Sequence, residues 1–171
     1  MLINVRGTNG SGKTHLVKQF TEGAEQIPLS PTVNGHYNAR YSLTIVGPYG
    51  ATSGGCDRIK TQHEVKEAIR AALVLGDHVI FEGIIVSTIF EPWRVFSQEI
   101  GGMVWAYLST PVDVCIARIY QRNGGKPFDE QMVRRKAETI WRTQEKADGA
   151  GERVELLPRT GSVEYLERML T

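Results

Sequence analysis

Short apolar runs alternate along this chain with segments whose apolar residues recur at helical spacing. The runs at 2–6, 41–46, 78–82, 103–108 and 153–157 predict five strands, the third open to continuation as far as Val86. Parallel strands need crossover helices and are covered on both faces, so the pattern predicts an α/β domain of three layers spanning 1–171. The helical segments carry their own boundary signals. Thr61 with Glu64 forms a capping box ahead of an apolar face at Val65, Ile69, Ala72 and Leu73 that stops at Gly76. Thr110 and Pro111 supply an N-cap and a first-turn proline before Val112, Cys115, Ile116 and Ile119. Asp129 caps a helix with Val133, Ala137, Ile140, Trp141 and Gln144 on one side, ending near Gly149, and Ser162 is placed to cap the last helix. Residues 24–40 and 47–56, rich in Gly, Pro and Asn, read as loops on the ligand-binding edge of the sheet.

Composition narrows the class. The chain has 171 residues, is 41% hydrophobic and 23% charged, and carries a net charge of +1, which describes one soluble globular domain with no membrane span or signal peptide and suits the cytoplasm. Cys56 and Cys115 lack the spacing of a zinc or redox site. The histidines have no metal-site partners, and Trp93, Trp105 and Trp141 are expected to pack in the core. Charge is nevertheless uneven: basic residues outnumber acids between Arg118 and Lys146, which suits a local anionic ligand.

The chemistry concentrates in Gly7-Thr8-Asn9-Gly10-Ser11-Gly12-Lys13-Thr14, a GxxxxGK[ST] pattern between the first strand and a helical segment at 14–22. In that context Gly7, Asn9, Gly10, Ser11 and Gly12 form a backbone cradle for phosphates, with the positive end of the helix dipole behind it. Lys13 reaches the β- and γ-phosphates of ATP, and the Thr14 hydroxyl is a ligand for Mg2+. Val79-Ile80-Phe81-Glu82-Gly83 places Glu82 at the end of a buried strand, where a second carboxylate can hold the metal directly or through water. No guanine-reading [NT]KxD or transporter LSGGQ signature is present, which favours phosphoryl transfer over a switch or a mechanical ATPase.

Arg118 and Arg122 lie one helical turn apart, followed by the Gly124-Gly125-Lys126-Pro127 turn and by Arg134, Arg135 and Lys136. A helix-turn-helix over about 118–136 with arginines is what a closing lid requires. In Ser53-Gly54-Gly55-Cys56-Asp57-Arg58, Asp57 is the candidate general base, its plainer alternative being a turn or helix-approach aspartate. Arg58 and Lys60 are candidates for holding an acceptor phosphate, Arg134 for touching substrate, and Tyr49, with Tyr37, for stacking on bases. Tyr41 is expected to open the second strand and join the core.

The strand and phosphate loop, the acid after the second strand, the VIFEG strand and the arginine-bearing lid together resemble the nucleoside, nucleotide and polynucleotide kinases of the P-loop class. That resemblance implies a five-stranded parallel sheet in the order 2-3-1-4-5, ATP with Mg2+, Asp57 as base with Arg58 nearby, and a mobile lid bearing Arg118 and Arg122. More narrowly, RGTNGSGKT, GGCD and TPVDVCIARIYQRNGG are similar to the bacteriophage kinases that phosphorylate 5-hydroxymethyluracil within DNA. Membership implies modified DNA as partner, in thymidine hypermodification in the host cytoplasm. A free nucleoside or its monophosphate is the alternative acceptor, and a nucleotide-binding regulatory module that transfers nothing is the alternative class.

Overall fold

A computed structural model describes residues 1–50 and 54–171; Ser53 and part of the expected 47–56 loop lie outside the described residues. The strands are β1 (Leu2–Arg6), β2 (Glu25–Pro28), β3 (Asn34–Asn38), β4 (Leu43–Val46), β5 (His78–Glu82), β6 (Val104–Leu108) and β7 (Arg153–Leu157). The helices are α1 (Lys13–Gln19), α2 (Gln62–Ala72), α3 (Ile84–Thr88), α4 (Glu91–Glu99), α5 (Val112–Arg122), α6 (Glu130–Gly149) and α7 (Ser162–Leu170). Among the described residues no helix is long and apolar enough to cross a membrane.

The α/β class holds, but the sheet is mixed and has seven strands in the order β2-β3-β4-β5-β1-β6-β7, not five parallel ones. The strands expected from the sequence form the contiguous run β4-β5-β1-β6-β7, paired in parallel. The additional pair lies in the segment 24–40 that reads as a loop: β2 and β3 are antiparallel to each other, and β3 is antiparallel to β4. Their sequences, EQIP and NGHYN, lack apolar alternation because β2 is an exposed edge, where a terminal proline is tolerated. Pairing with a sheet edge, a long-range interaction, overrides local composition here.

Central strands are buried on both faces, as crossover topology demands; every residue of β1 is buried. Leu2, Val79, Phe81 and Trp105 face a core with Val65 and Ile69 of α2, Trp93 and Phe96 of α4 and Ile140 of α6. Ile3, Val5, Ile80 and Ala106 face α1 and α7 through Leu16, Val17, Leu166 and Leu170. A third, small cluster joins Ile116 and Ile119 of α5 to Val133 of α6.

Several local expectations are corrected. The third strand stops at Glu82, and Ile84–Thr88 is helical. Pro111 precedes α5 as its cap, while the Thr110 hydroxyl instead donates to the Ser11 carbonyl at 2.9 Å. Gly161, not Ser162, caps α7, and the Ser162 hydroxyl donates to the Pro158 carbonyl. Tyr41 lies in a 3-10 turn before β4, only partly buried, bonded to Glu167. Trp93 and Trp105 are buried as expected, but Trp141 is 65% exposed, on the solvent side of the helical period that buries Ile140.

Candidate active site

The turn between β1 and α1 is built to present amides. Gly12, with φ 103°, precedes the first residue of α1 in a left-handed conformation that a side chain rarely adopts, and a Cβ at Gly10 would lie 2.5 Å from the Cys115 carbonyl oxygen. The loop's carbonyls are tied outward: Ser11 O accepts from Thr110, and Gly10 O and Ser11 O accept from Arg118 Nη1 at 3.2 and 3.3 Å. Asn9 Oδ1 and Ser11 Oγ are buried polar atoms without partners. Buried polar atoms are normally paired, so such orphans mark a place prepared for a ligand.

Lys13 is buried, its ammonium donating to the carbonyls of Gly7 at 2.8 Å and Thr8 at 3.2 Å. Burial lowers its pKa; Glu82, Asp57 and Cys115 oppose that, and Lys136 adds to it. The field at Lys13 therefore contains the two carboxylates singled out from the sequence. Parallel pairing sets Glu82 beside Val5, two residues before the loop, where the Thr14 hydroxyl donates to Glu82 Oε1 at 2.9 Å. Glu82 is wholly buried and its Oε2 has no partner. Burial pushes its pKa up to about 7, against Lys13 and the Thr14 hydrogen bond, with Asp57 pushing in the same direction as burial.

Asp57 lies in a 3-10 turn, Gly55–Arg58, against the end of β5. Its Oδ1 and Oδ2 accept from the Ile84 amide at 2.8 and 2.9 Å, and Oδ1 also accepts from Ile85 at 3.4 Å. Asp57 therefore caps α3, as the plainer sequence reading allowed, yet remains exposed. The sequence segments around Lys13, Thr14, Glu82 and Asp57 thus converge at one sheet edge.

A cleft of about 760 Å³ covers the phosphate loop. Arg118 and Arg122 line it from α5, and Arg159 lines it from the β7–α7 turn. Arg159 escaped sequence reasoning because it belongs to no motif; a basic residue just after the last strand was its only signal. Arg134 departs from expectation: it pairs with Asp113 at 2.7 Å, fastening α6 to α5, because its place on α6 brings it to that acid. Of the basic trio on α6, Lys136 is the one whose charge reaches Lys13. Arg58 and Lys60 are exposed beside Asp57 in sequence. Tyr49 offers no stacking face; it is 2% exposed, in edge-to-face contact with His36, and burial raises its pKa well above the usual value.

A phosphate loop with a buried lysine, a threonine–carboxylate pair at the neighbouring strand end and a sheet covered on both sides define a P-loop kinase. A gluconokinase from Sinorhizobium meliloti 1021 shares this fold, with a TM-score of 0.55 at 16% identity over 98% of this chain and 87% of that one. The family model described as 5-hmdU DNA kinase matches residues 1–157, and the chain belongs to that family. A relative from Pseudomonas phage M6, named 5-hmdU DNA kinase, is 44% identical over 166 residues, covering 89% of this chain and 88% of its own. Another from Salmonella phage ViI, named 5-hmdU DNA kinase 1, is 32% identical over 81% of this chain and 67% of its own.

Proposed function

We propose that this protein transfers the γ-phosphoryl group of ATP to the hydroxymethyl oxygen of 5-hydroxymethyluracil in phage DNA, within the host cytoplasm. The observation that carries the reading is the convergence of Lys13, the Thr14–Glu82 pair and Asp57 at one sheet edge, in a member of the 5-hmdU DNA kinase family. Residues 1–171 act as one kinase domain, and α5 with the start of α6, about 118–136, serves as its lid.

The phosphate loop binds the triphosphate through the backbone of Gly7, Asn9, Gly10, Ser11 and Gly12, with Lys13 neutralising its β- and γ-oxygens. The unpartnered Glu82 oxygen beside the Thr14 hydroxyl fits a divalent cation: hard oxygen donors suit Mg2+, which keeps the rest of its shell as phosphate and water. When bound, Mg2+ neutralises charge developing on the phosphates. Asp57 accepts the acceptor's hydroxyl proton as that oxygen bonds to the γ-phosphorus, the bond from phosphorus to the β–γ bridging oxygen breaks, and ADP departs. Arg118 and Arg122 hold charge on the donor side, Arg159 joins them, and Arg58 and Lys60 guide the DNA backbone on the acceptor side.

The deciding experiment offers γ-labelled ATP with unmodified DNA, DNA containing 5-hydroxymethyluracil, DNA with a free 5′-hydroxyl, and free nucleosides or their monophosphates. Label is expected in the hydroxymethylated DNA; label confined to small acceptors, or ATP bound with no acceptor labelled, overturns the reading. Asp57→Asn should retain ATP affinity while transfer falls on the order of 10²-fold.

A further inference from the structure

Arg6 is the last residue of β1 and directly precedes the phosphate loop, yet it is a wholly buried arginine. Its hydrogen-bond partners are neutral. Nη2 donates to the carbonyls of Val86 at 2.6 Å and Ile89 at 2.9 Å, and Nη1 lies 3.3–3.4 Å from Thr143 Oγ1, Ser87 O and Tyr107 Oη. The guanidinium lies over the Trp105 ring, 4.2 Å from its centroid. Burial pulls its pKa down to about 10 against the influence of Tyr107, so the charge persists at neutral pH. A buried cation facing neutral dipoles is costly to keep; both terminal nitrogens of the fork are bonded here while the buried Nε has no partner, and lysine could offer neither the fork nor the stacked planar face.

The three carbonyls among these partners belong to Val86 and Ser87 of α3 and to its C-cap Ile89; α3 has five residues and is too short to persist alone. Its opposite end is where Asp57 accepts from Ile84 and Ile85. The end held by Arg6 is also tied to the phosphate loop, since the Gly7 amide donates to Ser87 Oγ at 3.3 Å. One short element thus carries the candidate base at one end, and the arginine with the first loop residue at the other.

We propose that Arg6 is a positioning residue for phosphoryl transfer: by clamping the end of α3 it fixes the Asp57 carboxylate relative to the phosphate loop. The inference rests on Asp57 being the base. Arg6→Met loosens α3 without touching either substrate, so kcat should fall about 100-fold, the scale of an ångström's misplacement. KM for ATP should stay within about twofold, which a general loss of structure would not spare. Arg6→Lys keeps the charge but loses the fork, and should fall about tenfold.

Both variants are assayed by single-turnover transfer to hydroxymethylated DNA, alone and combined with Asp57→Asn, with ATP binding by calorimetry as the control for folding. If Arg6 acts through Asp57, Arg6→Met adds little to the loss already caused by Asp57→Asn. Parental kcat in Arg6→Met, losses that multiply in full in the double variant, or a rise in KM for ATP matching the fall in kcat overturns the proposal. Should Arg6→Met not fold, the same outcomes are read in Arg6→Lys, whose parental kcat is equally decisive. An inactive Asp57→Asn beside fully active Arg6 variants removes Arg6 alone, whereas a fully active Asp57→Asn removes the base reading and the proposal with it.

Discussion

Glu82 shows how burial sets chemistry at a single residue. Its carboxyl, with a pKa of about 7, is roughly half protonated at neutral pH, whereas a cation requires the carboxylate. Binding of ATP with Mg2+ at pH 7 should therefore release about half a proton from this group, and almost none above pH 8.5, where it is already ionised. Calorimetry in buffers of different ionisation heat reads that proton; a buffer dependence unchanged in Glu82→Gln would show that it comes from elsewhere. If Lys13 neutralises the phosphates as proposed, Lys13→Ala should abolish transfer to every acceptor, and a variant that still labels any of them contradicts that role. Both residues were legible in the sequence because each belongs to a contiguous motif whose backbone setting, strand then turn, is local. Tyr49 and Arg134 were not: whether a tyrosine stacks or packs, and whether an arginine meets phosphate or Asp113, depends on neighbours distant in sequence.

At the scale of elements, the strand runs, the Thr61–Glu64 capping box and the Asp129 cap were readable, whereas the Thr110 and Ser162 caps were not, and the segments that failed are those whose stability comes from elsewhere in the chain. The β2–β3 hairpin is polar and exists by pairing with β4. Ile84–Thr88 is rich in β-branched residues and invites an extended reading, but Asp57 caps it from 27 positions upstream and Arg6 from about 80. The turn Gly55–Arg58 depends equally on close contact. A Cβ at Gly55, where φ is +67°, would lie 2.5 Å from Glu82 Oε1 and 2.7 Å from the Glu82 carbonyl oxygen. Gly55→Ala should cost about 1–3 kcal/mol in urea unfolding and disable transfer by displacing Glu82 and Asp57 together. Gly151, with φ +71° and nothing within 4 Å of an added Cβ, provides the contrast. Gly151→Ala should lose about 1 kcal/mol from backbone strain while keeping its turnover. Equal effects on turnover at the two positions would separate the Gly55 turn from the site.

For the whole molecule the governing quantity is charge. A chain with net charge +1, of whose bases only Lys13, Lys18, Arg118, Arg122 and Arg159 line the cleft, has little long-range attraction for a duplex, so it should neutralise only a few phosphates. DNA affinity should accordingly fall with salt on a log–log slope no steeper than about −4, because Arg118 and Arg122 face the donor and Arg134 is paired with Asp113; a slope near −8 would require about nine neutralised phosphates, more than Arg58, Lys60 and every base of the lid could supply. Weak backbone binding also shifts the burden of recognition to the modified base, whose hydroxymethyl oxygen must come within bonding distance of a γ-phosphorus held inside the sheet edge. A stacked, paired base cannot do so, and the energy of unstacking falls when its partner is mismatched or absent. Transfer to 5-hydroxymethyluracil opposite a mismatch, or in single-stranded DNA, should therefore be several-fold faster than in a matched duplex of the same sequence, with KM for ATP unchanged. Matched and mismatched duplexes compared at saturating ATP make the measurement, and equal rates would mean that unstacking of the target base does not limit transfer.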